Sequence, residues 1–369
     1  MARTVGRRAL NRALLERQSL LERSPIAPLA MVERLAGMQS QVPNAPYVGL
    51  WSRLERFEPV ELVELIVGRR AVRSTLMRGT IHLTSADDAL AWRSVVRPVI
   101  ERGFGATQFY RNLDGLDRTE VIAAGRALLD DRPLDRAELG RLLAERWPDR
   151  DPGSLAYTVT YHVPLVQVPP RGLWGRTGQA TWTPMESWLG RPPSTDQAAD
   201  GAILRYLAAF GPASVADASA WSGLAGLRTT FERLRPRLRT FTDERGRELF
   251  DVPDGPLPDP ATPAPPRFIG EYDNILVAYD DRSRVIPTEH RDRILHGLGV
   301  PMILIDGMVR ATWRVSLSRD RATLEIAPYD PLRPADRRAV EEEGHRLLAF
   351  VAPDTTGREV RFADPGGPD

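Results

Sequence analysis

The chain of 369 residues contains no cysteine. That excludes disulfides, thiolate-bound zinc, iron–sulfur clusters and thiol nucleophiles together. It contains no lysine either, so all 50 basic residues are arginine. Apart from the N-terminal amine, no group can form a Schiff base, and chemistry that would need one must use water instead. Histidine is scarce. Of His82, His162, His290, His296 and His345, only His290 and His296 are close in sequence, and their spacing fits no metal motif. No metal and no cofactor are expected. No run approaches the ~20 apolar residues of a membrane span. The Arg-rich N-terminus, MARTVGRRALNRALLERQ, lacks the apolar stretch and cleavage site of a secretion signal, so the chain reads as cytoplasmic, with no membrane partner. An excess of one charge is missing too: the net charge is +1. A nucleic-acid partner would need the arginines gathered on one face.

What is present is ordinary for a soluble protein, with 42% hydrophobic and 27% charged residues. The length calls for two or three domains. The arginine-only, Pro- and Ala-rich composition implies a GC-rich genome.

Along the chain one order of elements recurs three times: helical patterns, then a short β pair. The first copy has a helix over Val5 to Glu22, with Leu10, Leu14, Leu15 and Leu20 on its apolar stripe. A second helix starts at Pro28, with Met31, Leu35 and Met38 inward, a short helical stretch runs from Tyr47 to Phe57, and a third helix starts at Pro59. VRSTLMRGTIHLTS then gives two strands joined at Arg78-Gly79. A connecting helix over Ala86 to Gly103 precedes an exposed loop through Asp114. The second copy predicts helices at Thr119–Asp130, Asp135–Trp147 and Pro152–Tyr161, followed by the long wing LVQVPPRGLWGRTGQATWTP. The third predicts a helix at Thr195–Phe210, then SVADASAWSGL and LRTTFERLRPRLR, and a wing with its turn at Glu244-Arg245-Gly246. A Pro-rich linker, Pro253 to Arg267, leads to YDNILVAY, PMILIDGMVRATWRVSL and ATLEIAPY, read as strands with a hairpin at Asp306-Gly307. An amphipathic helix closes the chain from Pro334 to Phe350, and the tail DPGGPD is expected to fray.

Helices followed by a hairpin describe a winged helix, a module that sets one helix and its wing against DNA. The fold class is therefore α+β, with boundaries at 1–105, 106–192, 193–255 and 256–369. Arg228, Arg233, Arg235, Arg237 and Arg239 on the last helix of the third copy suit either a DNA face or a solvated face balanced by acids.

Gln39 and Gln41 end the second helix, where the chain turns into a loop with Pro43 and Pro46. By themselves two glutamines read as solvent-facing. Their setting is more specific: Gln39-Ser40-Gln41 followed by APYVGLWSRL, then RSTLMRGTIHLTS, VPLVQVPPRGLWGRTG, YDNILVAYDDRSRVIP and LIDGMVRATWR. These segments, from near residue 31 to near 314, resemble in order the AlkZ-like winged-helix DNA glycosylases of bacteria. The resemblance implies three tandem winged helices in a C-shaped arrangement with an added C-terminal β-element. It also implies action on N7-alkylated purines in duplex DNA. The family's catalytic glutamines fall on Gln39 and Gln41, which places the chain with the Gln-x-Gln branch; Ser40 departs from the small or aliphatic residue usual between them.

The residue chemistry agrees. Alkylation at N7 makes guanine a cationic leaving group, so the transition state resembles an oxocarbenium ion at the sugar. Amide carbonyls suffice to position a water and stabilise that charge, while an undamaged base survives so weak a catalyst. Asn44, Tyr47, Arg78, Arg171, Trp174, Arg176, Arg310 and Arg314 are candidates for contact with DNA. Trp174 reads better as packing, and Tyr47 suits either role. His82 is expected to face away from the core, and Asp273 and Asp306 to serve turns and strand ends. The expected protein is a monomer on alkylated duplex DNA, with a bulky guanine adduct or crosslink as target and self-resistance to a DNA-alkylating natural product as its role, against housekeeping removal of small N7-methyl or nitrogen-mustard adducts. The alternative is a non-catalytic winged-helix regulator, which would dimerise on half-sites; a scaffold for protein contacts is a third reading.

Overall fold

Side-chain caps and prolines set most helix starts. Pro28 and Pro59 occupy the first turn of Pro28–Arg34 and Pro59–Val67, where a missing N–H costs nothing. Ser85, Asp135 and Asp151 each accept a backbone N–H at the start of Ala86–Trp92, Arg136–Arg146 and Pro152–His162. The computed structural model describes residues 3–365 and is α+β, with three separate sheets. Among the described residues no helix is long and apolar enough to cross a membrane.

The sheet that positions the site has six strands, all antiparallel. Their order is Met38–Gln39, Ile81–Ser85, Ala71–Thr75, Leu165–Val168, Thr181–Pro184 and Leu134–Asp135. The hairpins of the first and second copies are therefore neighbours in one sheet, joined where Arg73 faces Gln167 and Ser74 faces Val166. A three-stranded sheet pairs Arg3–Val5 in parallel with Arg239–Asp243, which pairs with Glu248–Asp251. The third sheet runs Arg267–Ile269, Met302–Ile305, Met308–Leu317, Arg321–Pro328 and Gly357–Phe362, with the last pair parallel. Asp306 and Gly307, both at positive φ, make the expected tight hairpin turn.

Several expectations need correction. The first helix is Arg7–Arg17, because Val5 belongs to a strand. The connecting helix is two, Ala86–Trp92 and Arg97–Gly105, with Pro98 in the first turn of the second. YDNILVAY is not a strand: Asp273 caps the short 3-10 turn Asn274–Leu276, and Ile275 to Tyr279 are all buried. The Pro-rich stretch is no free linker. Carbonyls of Pro256, Pro260 and Thr262 accept from Arg17, Arg8 and Arg12, which straps it along the first helix. The strand Gly357–Phe362 was not foreseen. Of the tail expected to fray, residues 366–369 lie outside the described residues.

Arginine also works as an internal fastener. Arg17 makes paired hydrogen bonds to Asp251, whose side chain is fully buried. Arg53 pairs with Asp273 at 2.9 Å, and Arg267 donates to the carbonyls of Leu20 and Leu21. Arginine's planar fork suits such buried pairing.

Candidate active site

Gln39 reaches its place through a sharp reversal. Ala36 and Gly37 take φ of 52° and 83°, which ends the second helix and lets Met38–Gln39 pair with the hairpin. A Cβ on Gly37 would lie 2.7 Å from Cγ2 of Thr84, so glycine is required by space as well as by φ. Gln39 therefore sits in a strand opposite His82 and not at a helix end.

Gln39 is 8% exposed, and its Oε1 accepts from Nη2 of Arg78 at 2.7 Å. Arg78, at φ 57° on the hairpin tip, also donates through Nη1 to the carbonyl of Trp221. Its guanidinium is lowered to about 10 by burial and by the charge of Arg282. His82, expected to face away from the core, is fully buried. Its Nδ1 lies 3.1 Å from the carbonyl of Thr80 and its Nε2 lies 3.4 Å from Arg78. Burial, reinforced by the Arg78 charge, lowers its pKa to about 3, so the imidazole is neutral, with Nδ1–H on the carbonyl. The register has the physical reason: Gln39 and His82 share one face of the sheet, and that face is covered.

Beside Gln39 is a crevice of about 10 Å³, also lined by Gly37, Glu271, Asp273 and Asn274. That is about the space of one water. Asn274 donates through Nδ2 to the Gly37 carbonyl at 3.0 Å, and its buried Oδ1 has no partner. Burial raises the carboxyl of Glu271 above its ordinary value. A water in the crevice would lie beside the Gln39 side chain, the unpartnered Asn274 side chain and the Glu271 carboxyl group.

Gln41 turns elsewhere. It is exposed, and its Oε1 accepts the N–H of Ile81 at 3.1 Å. It lines a separate cavity of about 350 Å³ with Arg73, Arg136 and Arg171. Ser40 between the glutamines is fully buried; Nε of Arg73 donates to its Oγ at 3.0 Å and Nη2 to its carbonyl at 2.8 Å. The unusual serine is thus an anchor for a buried arginine.

Of the remaining candidates, Arg171 faces the larger cavity and Arg78 holds Gln39. Tyr47 is buried; its hydroxyl donates to the Gly172 carbonyl at 2.8 Å, its ring lies 5.0 Å from Trp174, and burial pushes its pKa to about 12. Trp174 also lies 5.4 Å from Phe350, so its ring fastens the loop both to the helix Ala45–Trp51, through Tyr47, and to the C-terminal helix Pro334–Val351, through Phe350. Asn44, just before that helix, and Arg176 on the wing are exposed. Arg310 and Arg314 lie on another sheet and line neither cavity. Arg310 is paired with Glu289 and Asp330, and Arg314 with Glu325. In the third copy Arg233, Arg235 and Arg239 are likewise paired with acids.

Sequence reasoning missed Arg73, Arg136, Glu271 and Asn274. Arg73 and Asn274 lie in the quoted RSTLMRGTIHLTS and YDNILVAY but were not singled out; Arg136 and Glu271 gave no signal, because only the folded chain brings them to the glutamines.

The AlkZ-like DNA glycosylase family matches residues 32–350. The interstrand DNA cross-link repair glycosylase of Streptomyces sahachiroi is 26% identical over 364 residues, which covers 89% of this chain and 92% of that protein. The solved structure of the Streptomyces sahachiroi DNA glycosylase AlkZ shares the fold, with a TM-score of 0.77 at 22% identity over 98% of this chain and 100% of that one. The family match runs through the glutamine motif, the hairpin and the Asn274 turn, and it favours a repair glycosylase over a regulator: the chain belongs to the AlkZ-like DNA glycosylase family.

Proposed function

We propose that the protein is a monofunctional, metal-independent DNA glycosylase. It hydrolyses the N-glycosidic bond of bulky N7-alkylguanine in duplex DNA, including guanine tied into an interstrand crosslink. The observation that carries the reading is the water-sized crevice beside Gln39, where Arg78 fixes one amide and Asn274 offers an unpartnered carbonyl oxygen. In the reaction the bond from C1′ to N9 breaks, and its electron pair neutralises the cationic base. Water held by Gln39 adds to C1′, and its proton passes to Glu271 and on to solvent. Gln41 faces the sugar from the rim of the larger cavity. Arg78 leaves the second lone pair of the Gln39 oxygen free to direct the water.

The absence of lysine supports hydrolysis without strand cleavage, because an imine has no side-chain amine to form on. The three helix-and-hairpin copies act as tandem winged helices in a C, and one monomer embraces an asymmetric site. An open concave surface suits lesions too large to be flipped into a tight pocket. The Streptomyces relative is a cross-link repair glycosylase, which supports crosslinks as substrates here, and the arginine-only, Pro- and Ala-rich composition, typical of a GC-rich source, supports a self-resistance role. The test is a duplex with one bulky N7-alkylguanine, assayed for free base, for strand breaks before and after alkali, and for borohydride-trapped protein. The expected result is free base, breaks only after alkali, and no trapped adduct. A trapped adduct would overturn hydrolysis by water, and no base release would overturn the function.

A further inference from the structure

The larger cavity is a second built feature, and base hydrolysis leaves most of it unused. Arg73 stands opposite Gln167, and Gln167 opposite Trp182, so the three share one face of adjacent strands and form its floor. Arg136, at the start of its helix, and Arg171, in the wing loop, complete the lining. The cavity has three guanidinium groups and no carboxylate. Arg73 is 2% exposed; Ser40 takes its Nε and Nη2, while its buried Nη1 has no partner. Arg136 lies over the rings of Tyr157 and Trp182, and Arg171 donates to the Gly178 carbonyl at 3.0 Å. Among the described residues none of the three makes an ion pair with a carboxylate, unlike the fastened arginines elsewhere in the chain.

Three cations gathered without a counter-ion repel one another and cost desolvation. Burial, with Arg171 close by, lowers the Arg73 guanidinium to about 10. An anion in the cavity would relieve that cost. The charge also decides which part of a lesion belongs there. N7-alkylguanine is itself a cation and would be repelled, whereas a phosphodiester brings one negative charge and two oxygens that match a guanidinium fork.

We propose that this cavity binds a backbone phosphate of the damaged strand next to the lesion, which sets the deoxyribose between Gln41 and the crevice at Gln39. The proposal rests on the glycosylase reading for its substrate. The buried arginine fixes the positive field, and the two peripheral arginines contact the phosphate oxygens. Gly172 makes the closure possible: at φ 94° it lays the wing over Arg73, where a Cβ would fall 2.7 Å from Cδ.

The experiment is a methylphosphonate scan. Duplexes carry one bulky N7-alkylguanine and one neutral methylphosphonate linkage, moved stepwise along the damaged strand, and both affinity and excision are measured. Wild type should lose about tenfold in affinity at one linkage beside the lesion. In Arg171→Gln and in Arg136→Gln that penalty should shrink, and the slope of log affinity against log salt should fall by about 1. Both residues are only partly buried, so these variants spare the buried core that Arg73→Gln would disturb. A penalty spread evenly over all linkages, or one that persists in both variants, would overturn the phosphate site. Excision without a position-specific penalty would overturn this assignment alone. A position-specific penalty without excision would keep the phosphate site and remove the glycosylase reading.

Discussion

Lowering the pH should loosen the hairpin behind Gln39 through a single histidine. His82 is fully buried, has no carboxylate against it, and faces the Arg78 guanidinium at 3.4 Å. Its folded pKa is about 3, against an unfolded value of 6.5. Because the folded value is depressed, the unfolded chain binds the proton first; stability is full above the unfolded pKa and declines as pH falls below it. Between pH 7 and pH 5 this one group should cost about 2 kcal/mol, since each unit of titration is worth ~1.4 kcal/mol. Urea unfolding of wild type and His82→Gln at several pH values isolates the effect, because ordinary carboxylates change little in that window. Wild type should lose about 2 kcal/mol more than the variant. Parallel curves for the two proteins would refute the reasoning and mean that His82 is protonated or solvated in the folded state.

Three further outcomes follow from the same geometry. Arg78→Met frees the Gln39 amide and should slow single-turnover excision by about 10- to 100-fold at similar duplex affinity, the kinetic equivalent of one charge-assisted hydrogen bond. Asp251→Asn leaves Arg17 and Arg239 without their shared buried anion and should cost about 3–5 kcal/mol, read as a lower urea midpoint. Gly172→Ala strains a left-handed position and pushes against Arg73; it should cost about 1–3 kcal/mol in the same assay.

The second copy was the most legible part of the chain. Its helices, Arg118–Asp131, Arg136–Arg146 and Pro152–His162, carry Asp caps and clear apolar periodicity, and they fall within a residue or so of expectation. The hairpin strands were legible too, but their pairing was not. The register of Arg73 with Gln167 joins residues far apart in sequence, which no local pattern encodes. The strand at Gln39 is two residues long and depends on positive φ at Ala36, where alanine gives no warning of a turn. Ile275 to Tyr279 form an unbroken apolar run, which reads equally well as a buried strand or a buried turn. Arginine misled most. Arg310, Arg314 and Arg235 look like a DNA face in sequence and are paired with acids in the fold, while Arg73 stood unmarked inside a quoted segment and Arg136 carried no signal at all. At the site, the glutamine pair was legible through the resemblance, but its separation into two cavities was not.

The most direct test compares wild type with Gln39→Ala, Gln41→Ala and the double variant on a duplex carrying one bulky N7-alkylguanine. Single-turnover base release is measured alongside duplex affinity. The account predicts that wild type releases the base and that each single variant is slower by about 100-fold or more while still binding the duplex. Equal rates from all four proteins would contradict the assignment of catalysis to these glutamines.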